Sequence, residues 1–520
     1  MVMMLVVPPL VLRGGTPQNL VNIAWAFATL GVEDGPLLSS IAAASLSILT
    51  ELDAQNFSNT VWSLAALALE DLPLFEAIAA QSIAIISEGR VDPQHLSNTA
   101  WAFATIVFEH EPLFLALASA SLRSISQYAG RNLSNTFWSF ATLSRRDGPL
   151  FAALASAASR LSSERLAPQD ISNTAWSCSQ LAFPNEPLLD AIASAARARI
   201  SDWKAQDMAN TAWSFAYFVF TDRPLRSAIA ASAIPTISDF SSQNLATTSW
   251  ALEELEFEHE PLLHAISAEV IKSIDLFEPM PAATLLDRRL WPECQEALEH
   301  LLFPVIEQFC EALPPTVEFW RDGSYQQLVL SFRVGNFGVV GGRYLYSKLG
   351  VGLPDEAFLA RATVQIPRVG RMMADPYAAD GVDFLRQRVL TYAEYEFKAP
   401  DMPLPLRGSG CHENGRTAGS RWLVPVKPPF CPYADRGTCS EFRMLSSFCE
   451  VLARAGERGA GDVEARARFS GLIRALVSGP CCVSCVGAFA QFRRLFPSIE
   501  VQVAAGKVPG LLGEPRSGSD

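Results

Sequence analysis

The first half of this chain is short of positive charge. Residues 1–270 hold 13 Lys and Arg against 26 Asp and Glu, a net of −13, while the remaining 250 residues hold 28 of each. Acid in that excess repels a phosphate backbone unless it is kept away from the contact surface. Long apolar runs are lacking too. Nothing reaches the roughly 18 consecutive apolar residues of a spanning helix, so no membrane partner is expected. The opening MVMMLVVPPLVLRGG has no basic residue before Arg13 and is broken by Pro8 and Pro9. It makes a poor secretory signal and lacks the Arg/Ser-rich character of a transit peptide. Repeats begin almost at once, which leaves room for an N-terminus that continues upstream. Cysteine is sparse before residue 411, with three of the ten, and seven then fall between 411 and 485. Without a secretory signal, such thiols read as metal ligands or free thiols in a reducing compartment.

What the chain does have is a period. Trp25, Trp62, Trp101, Trp138, Trp176, Trp213 and Trp250 are separated by 37, 39, 37, 38, 37 and 37 residues. Three residues before each Trp stands Asn (22, 59, 98, 135, 173, 210), with Thr247 in the last unit. Seven before stands Gln (18, 55, 94, 169, 206, 243), with Arg131 as the exception. Pro36, Pro73, Pro112, Pro149, Pro187, Pro224 and Pro261 follow each Trp by eleven. Thr16, Asp53, Asp92 and Ser241 suit an N-cap, with Pro17 and Pro93 at the first helical position. Leu96, Ala100, Phe103, Ala104 and Val107 fall on one helical face, giving helix A. Turns such as Glu33-Asp34-Gly35-Pro36 end it, and the proline opens an Ala/Leu/Ser-rich helix B. Stacked units of this kind predict an α-solenoid of about seven helix-pair repeats, 37–39 residues each, over residues 16–275.

The unit core Pro-Gln-x-Leu-Ser/Ala-Asn-Thr-x-Trp-x-Phe/Leu-Ala resembles octotricopeptide repeats. That resemblance implies organellar RNA binding in a mitochondrion or chloroplast, with single-stranded RNA as partner. The absent transit peptide keeps the cytoplasm open, and neither secretion nor DNA is expected. Arg131, Thr247 and the acidic balance depart from the pattern. Helix A of most units carries almost no charge, and the acids gather in the A–B turns and helix B, so the charge reads as segregated. Arg131, Arg145, Arg146, Arg197, Arg199 and Lys204 supply a candidate basic track. The Trp reads as a core or inter-unit packing residue rather than a stacking platform, and the Asn as a buried amide bonded to a neighbouring unit. Base readers are then expected at exposed, varying positions of helix A, such as Val21, Ser58, Ser97, Ser134, Ser172 and Ala209. A scaffold binding proteins through the acidic array is the rival for this half.

Residues 276–380 read as a solenoid cap and linker. YQQLVLSFRV is predicted as a strand and GNFGVVGG (335–342) as a plain turn before the helix RYLYSKLG. The loop is neither GxGxxG nor a P-loop, so no nucleotide site is expected.

Residues 381–508 alternate strands and helices, predicting a smaller α/β domain before a flexible tail, 509–520. RWLVPVKPPF, SGLIRALVS and IEVQVAA are the predicted strands. TCSEFRMLSSFCEVLARAG and CCVSCVGAFAQFRRLF are the predicted helices. Cys439-Ser440-Glu441 opens the first helix and Cys482-Val483-Ser484-Cys485 the second. Three thiols near helix N-termini can bind Zn²⁺ and leave its fourth position open, and a Glu two residues from a ligand can move protons there. The arrangement resembles the cytidine deaminase superfamily, with its His/Cys-x-Glu and Pro-Cys-x-x-Cys. The resemblance makes Cys439, Cys482 and Cys485 zinc ligands and Glu441 the proton shuttle of a zinc-dependent C-to-U deaminase acting on RNA. Cys481 stands where the signature has proline, with Pro480 one residue earlier. Cys449 reads as a buried thiol, Cys411 and His412 as a loop pair, and Arg493 and Arg494 as a solvated helix face or an RNA path. The rival is a non-catalytic RNA-processing factor or protein scaffold with a structural zinc module.

Overall fold

The computed structural model describes residues 17–30, 54–66, 72–89, 91–161, 165–288, 290–313, 324–332, 337–372, 389–400, 402–413, 423, 439–455, 468–478 and 483–505. The chain divides into two compact units, Met1–Leu262 and Leu263–Asp520. Helices dominate, with one four-stranded sheet near the C-terminus.

In the first unit each of the seven periodic tryptophans sits on an A helix: α1 (Pro17–Leu30), α2 (Ala54–Ala66), α4 (Pro93–Thr105), α6 (Gly130–Thr142), α8 (Pro168–Gln180), α10 (Ala205–Tyr217) and α12 (Ser242–Glu254). B helices lie between them: α3 (Leu72–Ser87), α5 (Glu111–Ser124), α7 (Gly148–Ala158), α9 (Glu186–Arg199) and α11 (Arg223–Ala233). Helix α13 (Glu260–Ser273) continues the alternation. Each A helix packs beside the next A helix, and α3, α5, α7, α9 and α11 pack likewise in succession.

The caps fall where the sequence puts them. Asp92 accepts from the His95 N–H at 3.0 Å and Ser241 from the Asn244 N–H at 3.2 Å. Thr16 and Asp53 lie outside the described residues. The B helices are capped two residues before their prolines, where His110, Asp147, Asn185 and Asp222 accept from the N–H of Leu113, Leu150, Leu188 and Leu225. A left-handed residue closes five A helices six positions after the Trp: Val107, Ser144, Ala182, Val219 and Glu256, with φ between 47° and 54°. The following N–H then reaches a carbonyl five residues back, as from Phe108 to Phe103 at 2.9 Å. This is a Schellman closure built without glycine. It turns Val107 out of the core face expected for it, to 47% exposure, while Leu96, Ala100, Phe103 and Ala104 are buried there.

In the second unit α14 (Pro279–Leu286), α15 (Pro292–Glu311), α16 (Ser324–Phe332), α17 (Gly338–Lys348) and α18 (Glu356–Met372) precede the sheet. Of the predicted strand YQQLVLSFRV, residues 325–332 are instead in α16, and 333–334 lie outside the described residues. Its run of Leu, Val and Phe has no clean alternation, and Val329 is buried while Phe332 meets Phe309 at 5.5 Å. The predicted turn is the start of α17. Gly338 has φ +68°, and a Cβ there would stand 2.7 Å from the Ala283 carbonyl. The Asp287 carboxylate accepts from the Val340 N–H at 2.9 Å, filling the helix N-terminus where a phosphate would sit.

The sheet has the order β2-β1-β3-β4. Strand β1 (Leu390–Lys398) pairs antiparallel with both β2 (Leu406–Glu413) and β3 (Ser470–Val477), and β3 pairs parallel with β4 (Ile499–Ala505). Strands β3 and β4 were expected. The β1–β2 hairpin was not, and the predicted strand RWLVPVKPPF lies outside the described residues except Leu423, which belongs to no strand. Even-numbered β1 residues face α18, whose Phe358, Ala362 and Ile366 pack on Leu390 and Leu476. Odd-numbered residues face α19 (Ser440–Ala455), where Tyr395 and Phe397 meet Phe448 at 5.0 and 5.9 Å. Helix α19 packs in turn on α20 (Val483–Leu495).

Candidate functional site

Two features hold polar groups with no evident structural duty, one in each unit.

The first is a face of the A helices. The residue four before the Trp, expected to be exposed, is buried throughout: Val21 2%, Ser58 0%, Ser97 0%, Ser134 1%, Ser172 1% and Ala209 0%. Its role is register. The Ser97 hydroxyl accepts from the Asn132 amide at 3.1 Å, and Ser134 and Ser172 donate to Asp170 and Asp207 at 2.9 and 2.7 Å. Each of these Asn and Asp side chains also accepts from the N–H that begins its own helix, at Ala129, Ala167 and Lys204. One residue thus caps its helix and ties it to the preceding one. Serine's polarity masks this in sequence. The spacing alone does not reveal it, since Asn56 and Asn244 follow Val21 and Ala209 just as Asn132 follows Ser97.

The repeated residues themselves come to the surface. Gln94, Gln169 and Gln206 are exposed, as is Arg131 in their column, and Asn98, Asn135, Asn173 and Asn210 are half-buried. Among the described residues these four asparagine amides make no hydrogen bond within the protein, which corrects the buried, bonded amide expected from sequence. The tryptophans do pack between units. Trp62 stacks on Trp101 at 5.9 Å, Trp101 on Trp138 at 6.2 Å, and Trp213 meets Trp250 at 6.5 Å. They are rim rather than core, partly exposed along the ladder and 51% exposed at Trp25. Half of the expected basic track is engaged within the protein. Arg197 pairs with Asp222 at 2.7 Å, Arg199 with Asp202 at 3.0 Å, and Arg145 lies over the Phe114 ring. The face left is made mainly of amides and indole edges, with Arg131 exposed in the glutamine column.

The second feature lies where α19 and α20 meet the sheet. Cys439 precedes the first residue of α19 and is half-buried, Glu441 sits in its first turn at 3% exposure, and Cys485 is buried in the first turn of α20. Cys481 and Cys482 lie outside the described residues, so the thiol set is seen in two members. Among the described residues alone, no cluster of three metal-binding side chains occurs. Ser440 donates to Glu441 Oε2 at 2.9 Å, and its oxygen stands 2.8 Å from Thr391 Oγ1 on β1. A hydroxyl has one hydrogen, so Thr391 donates to Ser440 and the pair forms a directed chain to the carboxylate. No motif pointed to Thr391, because β1 itself was not anticipated.

His412, expected in a loop, is on β2 and pairs in register with Thr391, so it shares that face of the sheet. Burial, with the Arg443 charge adding to it, pushes its pKa down to about 4, and its ring meets Phe448 edge-on. Cys411 beside it is pushed up to about 11 by burial. Cys449 is buried as expected. Arg493 and Arg494 line no open path, since they donate to the carbonyls of Ile499 and Leu313.

The lowered His412 value sets a pH dependence. The unfolded chain takes up the proton near pH 6.5 and the folded chain only near pH 4. Between these values the unfolded state binds more protons, so stability falls as pH drops, by roughly 3 kcal/mol across the window. Urea unfolding from pH 7 to pH 4 reads this slope, and His412→Phe should flatten it. An unchanged slope in the variant would assign the effect elsewhere.

Among curated proteins none matches the chain. The sequence pattern of the RNA-editing substrate-binding complex 6 protein family matches residues 19–148 and 131–292, which spans α1 to α13 and just over half of the chain. The match falls on the repeats, where the unit core resembled octotricopeptide repeats, and it ends before the sheet. This helical-repeat chain belongs to the RNA-editing substrate-binding complex 6 protein family.

Proposed function

We propose that the chain is an RNA-processing protein whose repeats, stacked as an α-solenoid, hold single-stranded RNA along the A-helix face, and whose C-terminal domain deaminates a cytidine to uridine. The family's description as RNA-editing and substrate-binding supports the first part. So does the face itself, since unpaired bases present the hydrogen-bonding edges and π-faces that free amides and indoles complement.

The observation that carries the second part is that the helix opening after Cys439 and bearing Glu441 in its first turn packs on the helix bearing Cys485 in its first turn. Thiols at helix N-termini suit a soft divalent metal, and Cys439, Cys482 and Cys485 would hold Zn²⁺. When bound, zinc supplies activation of water at neutral pH. Replacing the C4 amine by oxygen consumes one water and releases ammonia, so a proton must travel from water to the departing nitrogen. Glu441 is the group assigned that transfer. Thr391 and Ser440 hold one carboxylate oxygen in place, and burial keeps bulk water from competing.

The test is zinc per purified chain, with uridine formation in RNA incubated with it. Zinc lost on Cys439→Ser, and uridine that depends on it, is the expected result. Zinc without uridine would leave a non-catalytic RNA-processing factor with a structural metal, and neither would remove the deaminase reading.

A further inference from the structure

The tryptophan ladder has a gap. Rings stack from Trp62 through Trp101 to Trp138 and meet again from Trp213 to Trp250, with Tyr217 tilted on Trp213 at 5.6 Å. Between them Trp176 is partly exposed, and among the described residues no aromatic ring stacks on it or edges against it. From Trp62 to Trp250 every other periodic indole meets a neighbouring ring, and Trp101 does so on both sides, while Trp25 at the end of the series is 51% exposed and meets none among the described residues. Trp176 alone in this run keeps its faces clear of other rings.

Its neighbours on the stripe are fitted to a base rather than to a protein core. Asn173, one turn before, carries an amide with no hydrogen-bond partner within the protein, and Gln180, one turn after, is exposed. Thr142 and Tyr217, at the matching positions on α6 and α10, are uncharged and partly exposed. An indole that meets no other ring, flanked by amides that offer donor and acceptor together, suits an unpaired nucleobase, which supplies a π-face and a mixed hydrogen-bonding edge. A peptide backbone also offers an amide a donor and an acceptor, but it has no π-face to lie on the indole.

We infer that Trp176 is a base-stacking position of the array, and that Asn173 and Gln180 bind the edge of the stacked base. This rests on the RNA-binding reading above and adds to it one defined contact at a break in the ladder. The remaining tryptophans act as lattice, holding units in register.

The experiment uses the full-length chain and an RNA pool enriched on it from a randomised single-stranded library, with binding followed by fluorescence anisotropy. Trp176→Ala should weaken binding by about 5- to 100-fold, the range of one aromatic–base stack. Trp176→Phe should keep most of the affinity. Trp101→Ala, which removes a ring covered on both faces, should lower the melting temperature more and the affinity less. As a readout independent of folding, 4-thiouridine in the pool should cross-link to the α8 peptide that contains Trp176. Failure of the wild type to enrich any RNA would overturn the RNA reading and this inference with it. Tight wild-type binding that Trp176→Ala leaves unchanged, or cross-links that avoid α8, would overturn the inference alone.

Discussion

Glu441→Gln is expected to lower uridine formation in bound RNA by about 10²- to 10⁴-fold, the usual contribution of a positioned acid–base group, while zinc per chain stays at the wild-type level. The amide keeps the size of the carboxylate and can still accept from Ser440, so the buried site at 3% exposure has no cavity to collapse into. What it loses is the capacity to take up and release a proton. Ser440→Ala should act through Glu441. It removes the bond at 2.9 Å and leaves the Thr391 hydroxyl without its acceptor, so turnover should fall less than in Glu441→Gln and RNA affinity should not change. Time courses of uridine formation with saturating RNA separate the two. Wild-type turnover in Glu441→Gln would remove the carboxylate from the chemistry altogether.

Asp170→Ala is expected to destabilise the repeats by about 2–3 kcal/mol, since hydrogen bonds to a charged acceptor each contribute more than neutral ones. Asp170 is 6% exposed and accepts from the Ala167 N–H at 3.1 Å and from Ser134 at 2.9 Å. Its loss strips a helix-start N–H of its acceptor and leaves the Ser134 hydroxyl only the Arg131 carbonyl at 3.1 Å. Asp170→Asn, whose amide can accept from the Ala167 N–H and donate to the Ser134 hydroxyl as Asn132 does to Ser97, should cost far less. The exposed Asp190→Ala on α9 should fall within about 0.5 kcal/mol of wild type. Urea unfolding followed by helical circular dichroism reads all three. An Asp170→Ala midpoint equal to that of Asp190→Ala would show that the inter-unit bond does not set the register.

Much of this was legible in the sequence, and the exceptions have physical causes. The Trp period located every A helix, and the prolines located the starts of the B helices, because both follow from local geometry that each unit repeats. Burial was read wrongly at the two columns that matter most. Ser97, Ser134 and Ser172 are small and polar and were assigned to the surface, yet they are paid for inside by an Asn or Asp of the next unit, a partner some 35 residues away that local pattern does not reveal. Asn98, Asn135 and Asn173 belong to a column that is Asn in six of the seven units, and its repetition reads as a mark of packing and so of the interior. A surface that must present the same chemistry at every step repeats just as strictly. In the second unit, α16 was misread because a short apolar run without alternation fits either a strand or a helix. The β1 strand LTYAEYEFK was missed despite its alternation, and with it Thr391 and the sheet face that carries His412.

The central claim is that the A-helix face holds RNA through bases rather than phosphates. Its most direct measurement is the affinity of the full-length chain for its enriched single-stranded RNA as salt is raised. A single strand contributes a slope of about −0.7 in log K against log salt for each phosphate neutralised. With Arg197 and Arg199 paired to acids, and Gln, Asn and Trp along the face, the account predicts binding at low salt with a shallow slope of about −1 to −2, the equivalent of two or three phosphates. A slope steeper than about −5, or no binding at low salt, would contradict it.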